Sequence, residues 1–379
     1  MRWNIFLNLI HPLNLFPDVQ VKKAGVSREI ILTLLFNKMK KTGFGIIGCG
    51  IWGTVHARTY AASPAAELVA VCDQDREKAE RTASQFYAGS FTTNWNDLLE
   101  NPEIGAVSVV TPDFAHMPVV LAALQAGKHV LVEKPLAMTV EDCEKILKAR
   151  DQAGVRLMVD FHNRWNPPFM HIRRMAETGE LGTMLMMNIR LNDTLYVPTK
   201  MLDWASKSTP SHFLGSHVID LVRWLSRAEI RKVYSVSRST VLKKAGVDTP
   251  DFQQSIVELS NGGTAYIENC WIVSEKAPNV FEFSGEFIGS KGSAFVNASH
   301  HRMIEKYSDE GSGFPDVAGI VDSYGKPAGF CISPIEHFID CVVNDKNPSV
   351  TGEDGLEAAR VIMAMEESAK TGLPVVSLS

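Results

Sequence analysis

Phe44-Gly45-Ile46-Ile47-Gly48-Cys49-Gly50-Ile51-Trp52-Gly53 carries a short apolar strand straight into G-x-G-x-x-G, and Val55, His56 and Tyr60 continue it at helical spacing. Each glycine has its own part: Gly48 permits the tight turn, Gly50 lets a pyrophosphate approach the backbone, and Gly53 lets the helix close on the strand. Phosphates then rest on the unpaired N–H groups and the positive dipole end of the helix. Glycine-rich turns are common, so the second strand decides. Leu68 to Val71 ends in Cys72-Asp73, with Asp73 twenty residues beyond Gly53. A carboxylate at that spacing accepts the ribose hydroxyls of an adenosine and repels a 2′-phosphate. The two signals together predict NAD rather than NADP, although Arg76 is near enough in sequence to meet a phosphate if its loop turned inward.

Outward from this turn, βα units repeat. Helices over Asp75–Phe86, Trp95–Leu99 and Pro118–Ala126 alternate with buried strands at Val107–Val110, Val130–Val132 and Val155–Val159. Gly127 closes one helix, and Thr139, with Asp142 three residues on, opens another. This alternation predicts a parallel sheet with helices on both faces. Two more motifs, Thr111-Pro112-Asp113 and Glu133-Lys134-Pro135, fall at strand ends on the edge that carries the glycine turn. Open sheets of this kind hold their ligands there. Taken alone, a lysine after a core strand is most often a surface residue. Here the proline restricts its backbone, and three motifs share one rim.

The totals narrow the classes. A chain of 379 residues predicts two domains and buries a core without disulfide or metal staples. Its net charge of −5 argues against a nucleic-acid partner, which calls for a basic stripe. Six cysteines without C-x-x-C spacing read as reduced thiols and a cytoplasmic protein. No apolar run reaches membrane-spanning length. The first fifteen residues, interrupted by Asn4, Asn8, His11 and Pro12, make a poor signal peptide. Residues 1–38 are expected to be a poorly ordered appendage or a mis-set start, with Met39 the natural beginning.

The set Gly48–Gly53, Asp73, Thr111-Pro112, Gly127-Lys128-His129-Val130 and Glu133-Lys134-Pro135 resembles the glucose–fructose oxidoreductase / inositol dehydrogenase / rhizopine-catabolism (Gfo/Idh/MocA) superfamily. The likeness spans roughly residues 42 to 377. It implies an α/β Rossmann domain for NAD over residues 39–160, then an α+β domain over 161–379 with a large, mostly antiparallel sheet for substrate binding and oligomerisation. The cofactor contacts it implies are Gly48, Gly50, Ile51, Trp52, Gly53, Asp73, Thr111, Pro112, His116, Glu133 and Lys134. It also makes Lys134–Pro135 a candidate cis bond.

Beyond Val159, Asp160-Phe161-His162-Asn163-Arg164-Trp165-Asn166-Pro167-Pro168 is an aromatic and polar cluster, followed by a helix from about Phe169 and a strand over Met184–Leu191. The resemblance places Asn163, Arg164 and Trp165 at the active-site mouth; a structural ion pair is the competing reading for Arg164. Phe213 to Leu225 reads as a helix, with His217 and Asp220 on one face. A lone histidine there is usually a satisfied core residue, but Gly215, His217 and Asp220 match the family's D-x-G-x-H-x-x-D, which makes His217 the implied proton acceptor and Asp220 its orienter or a packing contact. The first aspartate of that pattern is Phe213 here. Asp193, Asn192, Tyr196, Asp203, His212 and Asn163 are candidates to replace it, and the sequence does not rank them. Trp204 and Trp165 offer aromatic faces to a sugar ring, or core packing. Strands dominate from Lys232 to Val296, with Asn261-Gly262-Gly263 as a hairpin turn. His300-His301 point apart on a strand, so no metal is expected.

The function implied is hydride transfer between NAD and a secondary hydroxyl of a sugar, polyol or glycoside, C3 of a glycoside included, in a homodimer or homotetramer. Lys134 and His217 are the catalytic pair; Lys134, Asn163, Arg164, Trp165, Trp204 and His217 face the substrate. A redox-assisted glycosidase or lyase, and a non-catalytic sugar sensor, are the rival classes.

Overall fold

The computed structural model describes residues 41–299, 303–309 and 311–376. The appendage expected over residues 1–38 and the His300-His301 pair lie outside the described residues.

Strands β1 (Thr42–Ile47), β2 (Ala66–Cys72), β3 (Ser90–Thr92), β4 (Ile104–Val109), β5 (His129–Glu133) and β6 (Leu157–Asp160) form a parallel sheet in the order β3-β2-β1-β4-β5-β6. Between them run α1 (Ile51–Ala62), α2 (Arg76–Phe86), α3 (Trp95–Leu99), α4 (His116–Gln125) and α5 (Val140–Ala153). The central strands are buried on both faces, which is why they read as continuous apolar runs. Gly127 closes α4 with φ +72°, and the Thr139 hydroxyl accepts the Asp142 N–H to cap α5. The strand order reverses between β1 and β4, so the glycine turn and Thr111-Pro112 flank the crevice where such sheets bind nucleotides.

After α6 (Pro167–Glu177) comes β7 (Met184–Thr194), then α7 (Ser216–Ser226), β8 (Ile230–Arg238), the short α8 (Val241–Lys244), β9 (Phe252–Leu259), β10 (Thr264–Val273), β11 (Phe281–Gly289) and β12 (Ser293–Asn297). They build a seven-stranded sheet in the order β12-β11-β7-β10-β9-β8-β17, where β17 is Val375–Val376. Only β7 and β10 pair in parallel; the rest is antiparallel, as expected. Two small hairpins, β13 (Lys306–Ser308) with β14 (Gly311–Gly313) and β15 (Val321–Ser323) with β16 (Lys326–Ala328), occupy the glycine-rich segment expected as loop.

Two differences from the sequence reading matter for the site. The strand expected to stop at Leu191 runs on to Thr194, hidden because Asn192 and Asp193 are poor strand formers. The helix expected from Phe213 begins at Ser216, after a wide turn over Ser211–Gly215 that puts His217 in its first turn.

The last two helices, α9 (Ser333–Val343) and α10 (Gly352–Thr371), return to the first sheet. Thr351 and Asp354 close a capping box at the start of α10. Gly355 lies so close to the loop after β5 that a Cβ there would meet Leu136 Cβ at 2.7 Å. The helix also touches β8 of the second sheet, so it locks the two sheets to each other around the Lys134 loop.

Candidate active site

The glycine turn has the cradle expected of a nucleotide site. Gly48 adopts φ +105°, with a Cβ position 2.4 Å from the Val110 carbonyl oxygen, and a Cβ on Gly53 would stand 2.0 Å from the Gly48 oxygen. Neither position takes a side chain. Gly50 differs: nothing lies within 4 Å of its Cβ position, so open space borders the backbone at the start of α1. No side chain caps α1, no acid occupies its first turn, and Ile51 is exposed. Its first amides are therefore free for phosphate. Asp73 accepts the Cys49 N–H through Oδ2 at 2.7 Å and the Asp75 N–H through Oδ1 at 2.9 Å, which fixes its carboxylate beside the turn. Arg76 lies over the Phe91 ring at 5.2 Å. These residues suit a dinucleotide with free ribose hydroxyls.

Along the same rim, the Lys134–Pro135 bond is cis. His116 joins the two rim motifs, with Nδ1 2.6 Å from the Pro135 carbonyl and Nε2 2.9 Å from the Thr111 carbonyl. Each nitrogen lies against a backbone carbonyl, and burial keeps the ring neutral so that it donates to one of them. Wedged there, it fixes the loops and offers no edge to a ligand; that revises its expected place among the cofactor contacts. Glu133 also turns inward, its Oε1 lying 3.5 Å from His56 Nε2, and Asp160 Oδ2 lies 3.7 Å from the same nitrogen. These three buried groups bring potential metal-ligating atoms within 4.8 Å of one another. Burial, followed by the neighbouring Glu133, pushes Asp160 well above the carboxylate range. Burial alone would raise Glu133 as well, but His56, His162 and Lys134 outweigh it and hold the group low. The two carboxyls thus divide into one protonated and one ionised. His56 Nδ1 is anchored to Ser108, which also bonds the Tyr60 hydroxyl.

Lys134 is buried to 9% exposure. Its ammonium donates to the Phe213 carbonyl at 2.8 Å and lies 4.0 Å above the Phe213 ring. Burial lowers its pKa, opposed by Glu133, Asp113, Asp193 and Asp160. Phe213 therefore replaces a carboxylate with a cation–π contact and a carbonyl. Around it, edge contacts link Phe114 to Trp204 at 6.2 Å and Trp204 to Phe213 at 6.0 Å, and a tilted contact links Phe213 to Trp271 at 5.8 Å, an aromatic wall that includes one of the two predicted tryptophans.

His217 is buried, and its Nδ1 has no hydrogen-bond partner. Burial first, then His162 and Lys134, push its pKa well below the usual value, so it is neutral at neutral pH. His162, held at about 4 by burial, packs on it at 4.6 Å, and Trp52 of the glycine turn stacks on His162 at 5.2 Å. That stack ties the start of α1 to the start of α7.

Arg164 is a correction. Its guanidinium takes both oxygens of Asp220, at 2.8 and 2.6 Å, and reaches Asp354 at 2.9 Å, so the competing ion-pair reading holds and Asp220 does not orient His217. Trp165 packs on His337 at 5.5 Å, away from the aromatic wall. Asn163 is buried and engaged with Asn166. His162, Phe114 and Trp271 were not singled out from sequence. His162 was within reach of it, standing two residues past a rim strand; the other two carry no sequence signal that separates them from core aromatics.

Residues 42–161 match the GFO_IDH_MocA oxidoreductase family with its NAD-binding Rossmann fold, and residues 169–295 match the GFO/IDH/MocA C-terminal domain. Among curated relatives, scyllo-inositol 2-dehydrogenase (NAD(+)) of Bacillus subtilis is 28% identical over 338 residues, covering 87% of this chain and 94% of its own. Inositol 2-dehydrogenase 2 of Saccharopolyspora erythraea is 31% identical over 254 residues, 66% of this chain and 71% of its own. Among solved structures, GenD2 from gentamicin A biosynthesis, in complex with NAD, superposes with a TM-score of 0.79 at 23% identity, over 89% of this chain and 96% of its own. Family matches on both sheets, over a cradle shaped for a dinucleotide, place the chain in the Gfo/Idh/MocA family as an NAD-binding oxidoreductase.

Proposed function

We propose that the protein oxidises a secondary hydroxyl of a ring-shaped polyol, sugar or glycoside, with residues 39–160 holding NAD and 161–379 holding the substrate. The observation that carries this reading is the meeting of a buried, desolvated lysine and a neutral histidine with a free nitrogen, beside the nucleotide rim. Bound NAD supplies the hydride acceptor. Lys134 donates to the reacting hydroxyl, and His217 takes its proton at Nδ1 as the carbon-bound hydrogen leaves as hydride, so that a ketone and one proton remain. Burial of both groups keeps water from competing for these contacts. The aromatic wall supports a six-membered ring with mostly equatorial hydroxyls, because such a ring presents C–H faces to stack on. Relatives named as inositol dehydrogenases agree with that chemistry.

The test is a panel of cyclitols, sugars and glycosides with NAD, followed by the absorbance of reduced nicotinamide. Turnover of none of them removes the reading. A glycoside stacked on the same wall supports one alternative: transient oxidation followed by elimination. In that case an aglycone is released while NADH fails to accumulate.

Assembly through the large sheet, as homodimer or homotetramer, belongs to the same proposal. Phe295, Glu286, Asn188, Tyr266, Ile256 and Tyr234 lie in one cross-strand row, and Phe295, Ile256 and Tyr234 are exposed on it. A monomer by light scattering would remove this part. Among the described residues, no helix is long and apolar enough to cross a membrane.

A further inference from the structure

We infer that Asp193 is the substrate-facing carboxylate of this site, acting on the Lys134 ammonium through the field of its charge and accepting a hydrogen bond from a ring hydroxyl next to the one oxidised. The inference rests on the proposed dehydrogenase reading. It begins in the pleat of β7. Met187, Ile189 and Leu191 alternate onto the buried face of the strand, and Asp193 is the next residue on that face, where the pattern calls for another apolar side chain. Its backbone is fixed by pairing with Phe281, so the carboxylate has little freedom to escape. It is 5% exposed, and its Oδ2 has no hydrogen-bond partner.

A buried, unpartnered carboxylate oxygen is costly and calls for an explanation. Its surroundings supply one. The Trp271 indole N–H approaches the carboxyl and favours its anion, the Lys134 ammonium acts on it through its charge, and Trp271 touches the Phe213 ring on which that ammonium rests. Burial raises the carboxyl to about 7, with Lys134 and the Trp271 N–H pulling the other way, and the half-buried Cys270 also feels its charge. A carboxylate beside an amine, with one acceptor oxygen unused, is equipped to accept a hydrogen bond from a hydroxyl.

The other candidates for this place are otherwise engaged. Asn192 points to the opposite face and donates to Glu268 and Glu282. His212 is held by Thr209, the Met138 carbonyl and Glu366. Asp203 and Tyr196 are exposed, and the Asn163 amide oxygen accepts from Asn166. The carboxylate absent from position 213 therefore comes from a strand rather than from the turn before α7.

Two readouts test this on the full chain. In the first, no substrate is present: Lys134 is acetylated with limiting acetic anhydride across pH, and its labelling is followed by mass spectrometry in wild type and Asp193→Asn. Loss of the anion should lower the half-labelling pH by about half a unit or more; an unmoved midpoint overturns the pairing. In the second, the best substrate of the panel is compared in the same proteins. Asp193→Asn should lose about 100-fold in kcat/KM while NAD binding, read by protein fluorescence, stays unchanged. The rise of wild-type kcat/KM through about pH 7 should vanish in the variant. The double variant Asp193→Asn/Phe213→Asp, which puts a carboxylate on the turn instead, should recover part of the loss. Equal kcat/KM in wild type and Asp193→Asn overturns the substrate contact. A wild type inactive on the whole panel removes the dehydrogenase reading and the substrate contact with it, whereas the labelling midpoint still decides the pairing with Lys134.

Discussion

Asp220 and Asp193 are both buried carboxylates in the second half of the chain, and their surroundings are opposite. Asp220 gives both oxygens to the Arg164 guanidinium, which Asp354 also holds, and Trp224 lies under it. Asp193 faces an amine without an ion pair and keeps one oxygen unused. Where both oxygens have a charged donor, the charge welds elements together; here α7, α10 and the segment after β6 meet at one fork. Where a donor is missing, the site is built for something that arrives. The same distinction separates His116, wedged between two backbone carbonyls, from His217, with a free Nδ1.

The comparison breaks first at Lys134. On the unsatisfied side, removing the amine should cost activity and little else. Lys134→Met is expected to lower turnover by about 10⁴-fold, equivalent to roughly 5.5 kcal/mol of barrier, with NAD affinity within about threefold of wild type by fluorescence titration. Retained turnover would refute the assignment of Lys134. On the satisfied side the reverse holds: Arg164→Ala leaves Asp220 buried without its cation, at a cost of roughly 3–5 kcal/mol. Denaturant unfolding should show that loss, while kcat/KM per folded molecule changes by a few-fold at most.

Asp193→Asn sharpens the contrast through pH. Its carboxyl sits at about 7 in the folded protein, against about 3.9 in an unfolded chain. A raised carboxyl favours the folded state below the unfolded pKa, and that advantage is lost as pH rises through the folded pKa. Wild type therefore weakens between about pH 4 and 7, and the asparagine variant lacks this weakening. The stability of the variant relative to wild type should grow by roughly 2.5 kcal/mol between pH 5 and 8. A constant difference would mean that Asp193 is not the carboxyl that titrates there. A gain in stability joined to a loss of activity is the signature of a strained functional group.

What the sequence made legible divides along the same line. Local chemistry was readable: the glycine turn, Asp73, the Thr139 cap and Glu133-Lys134-Pro135 each declare themselves within a few residues, and their strand-end positions put them on one rim. Pairings across long separations were not. Arg164 meets Asp220 across 56 residues, and no local pattern separates an arginine that grips a substrate from one that grips an aspartate. Asp193 was a half-readable case: alternation along β7 puts it inward, but the strand had seemed to end at Leu191 because Asn192 and Asp193 look like turn residues. The shift of the α7 start from Phe213 to Ser216 was invisible for a related reason, since apolar spacing alone does not distinguish a wide turn from the helix it precedes.

Asp73 is the intermediate case, and its predicted effect is the smallest. Each of its oxygens accepts one backbone N–H, from Cys49 and from Asp75, and each keeps a further lone pair on a partly exposed edge. It is thus structural on one side and open to a ligand on the other. Asparagine has the same shape but only one acceptor. In Asp73→Asn the amide either turns its oxygen to Cys49 and sets its NH₂ against the Asp75 N–H, or does the reverse; in both orientations one donor faces another. The remaining oxygen also carries less charge for ribose hydroxyls. NAD affinity should fall about tenfold, near 1.4 kcal/mol, and the preference over NADP should narrow because the repulsion of a 2′-phosphate is gone. The fold stays intact, since neither β1 nor β2 loses a ladder bond. Titration of both nucleotides against wild type and variant decides it: an unchanged NAD:NADP ratio would confine Asp73 to holding the glycine turn and leave the ribose to another residue.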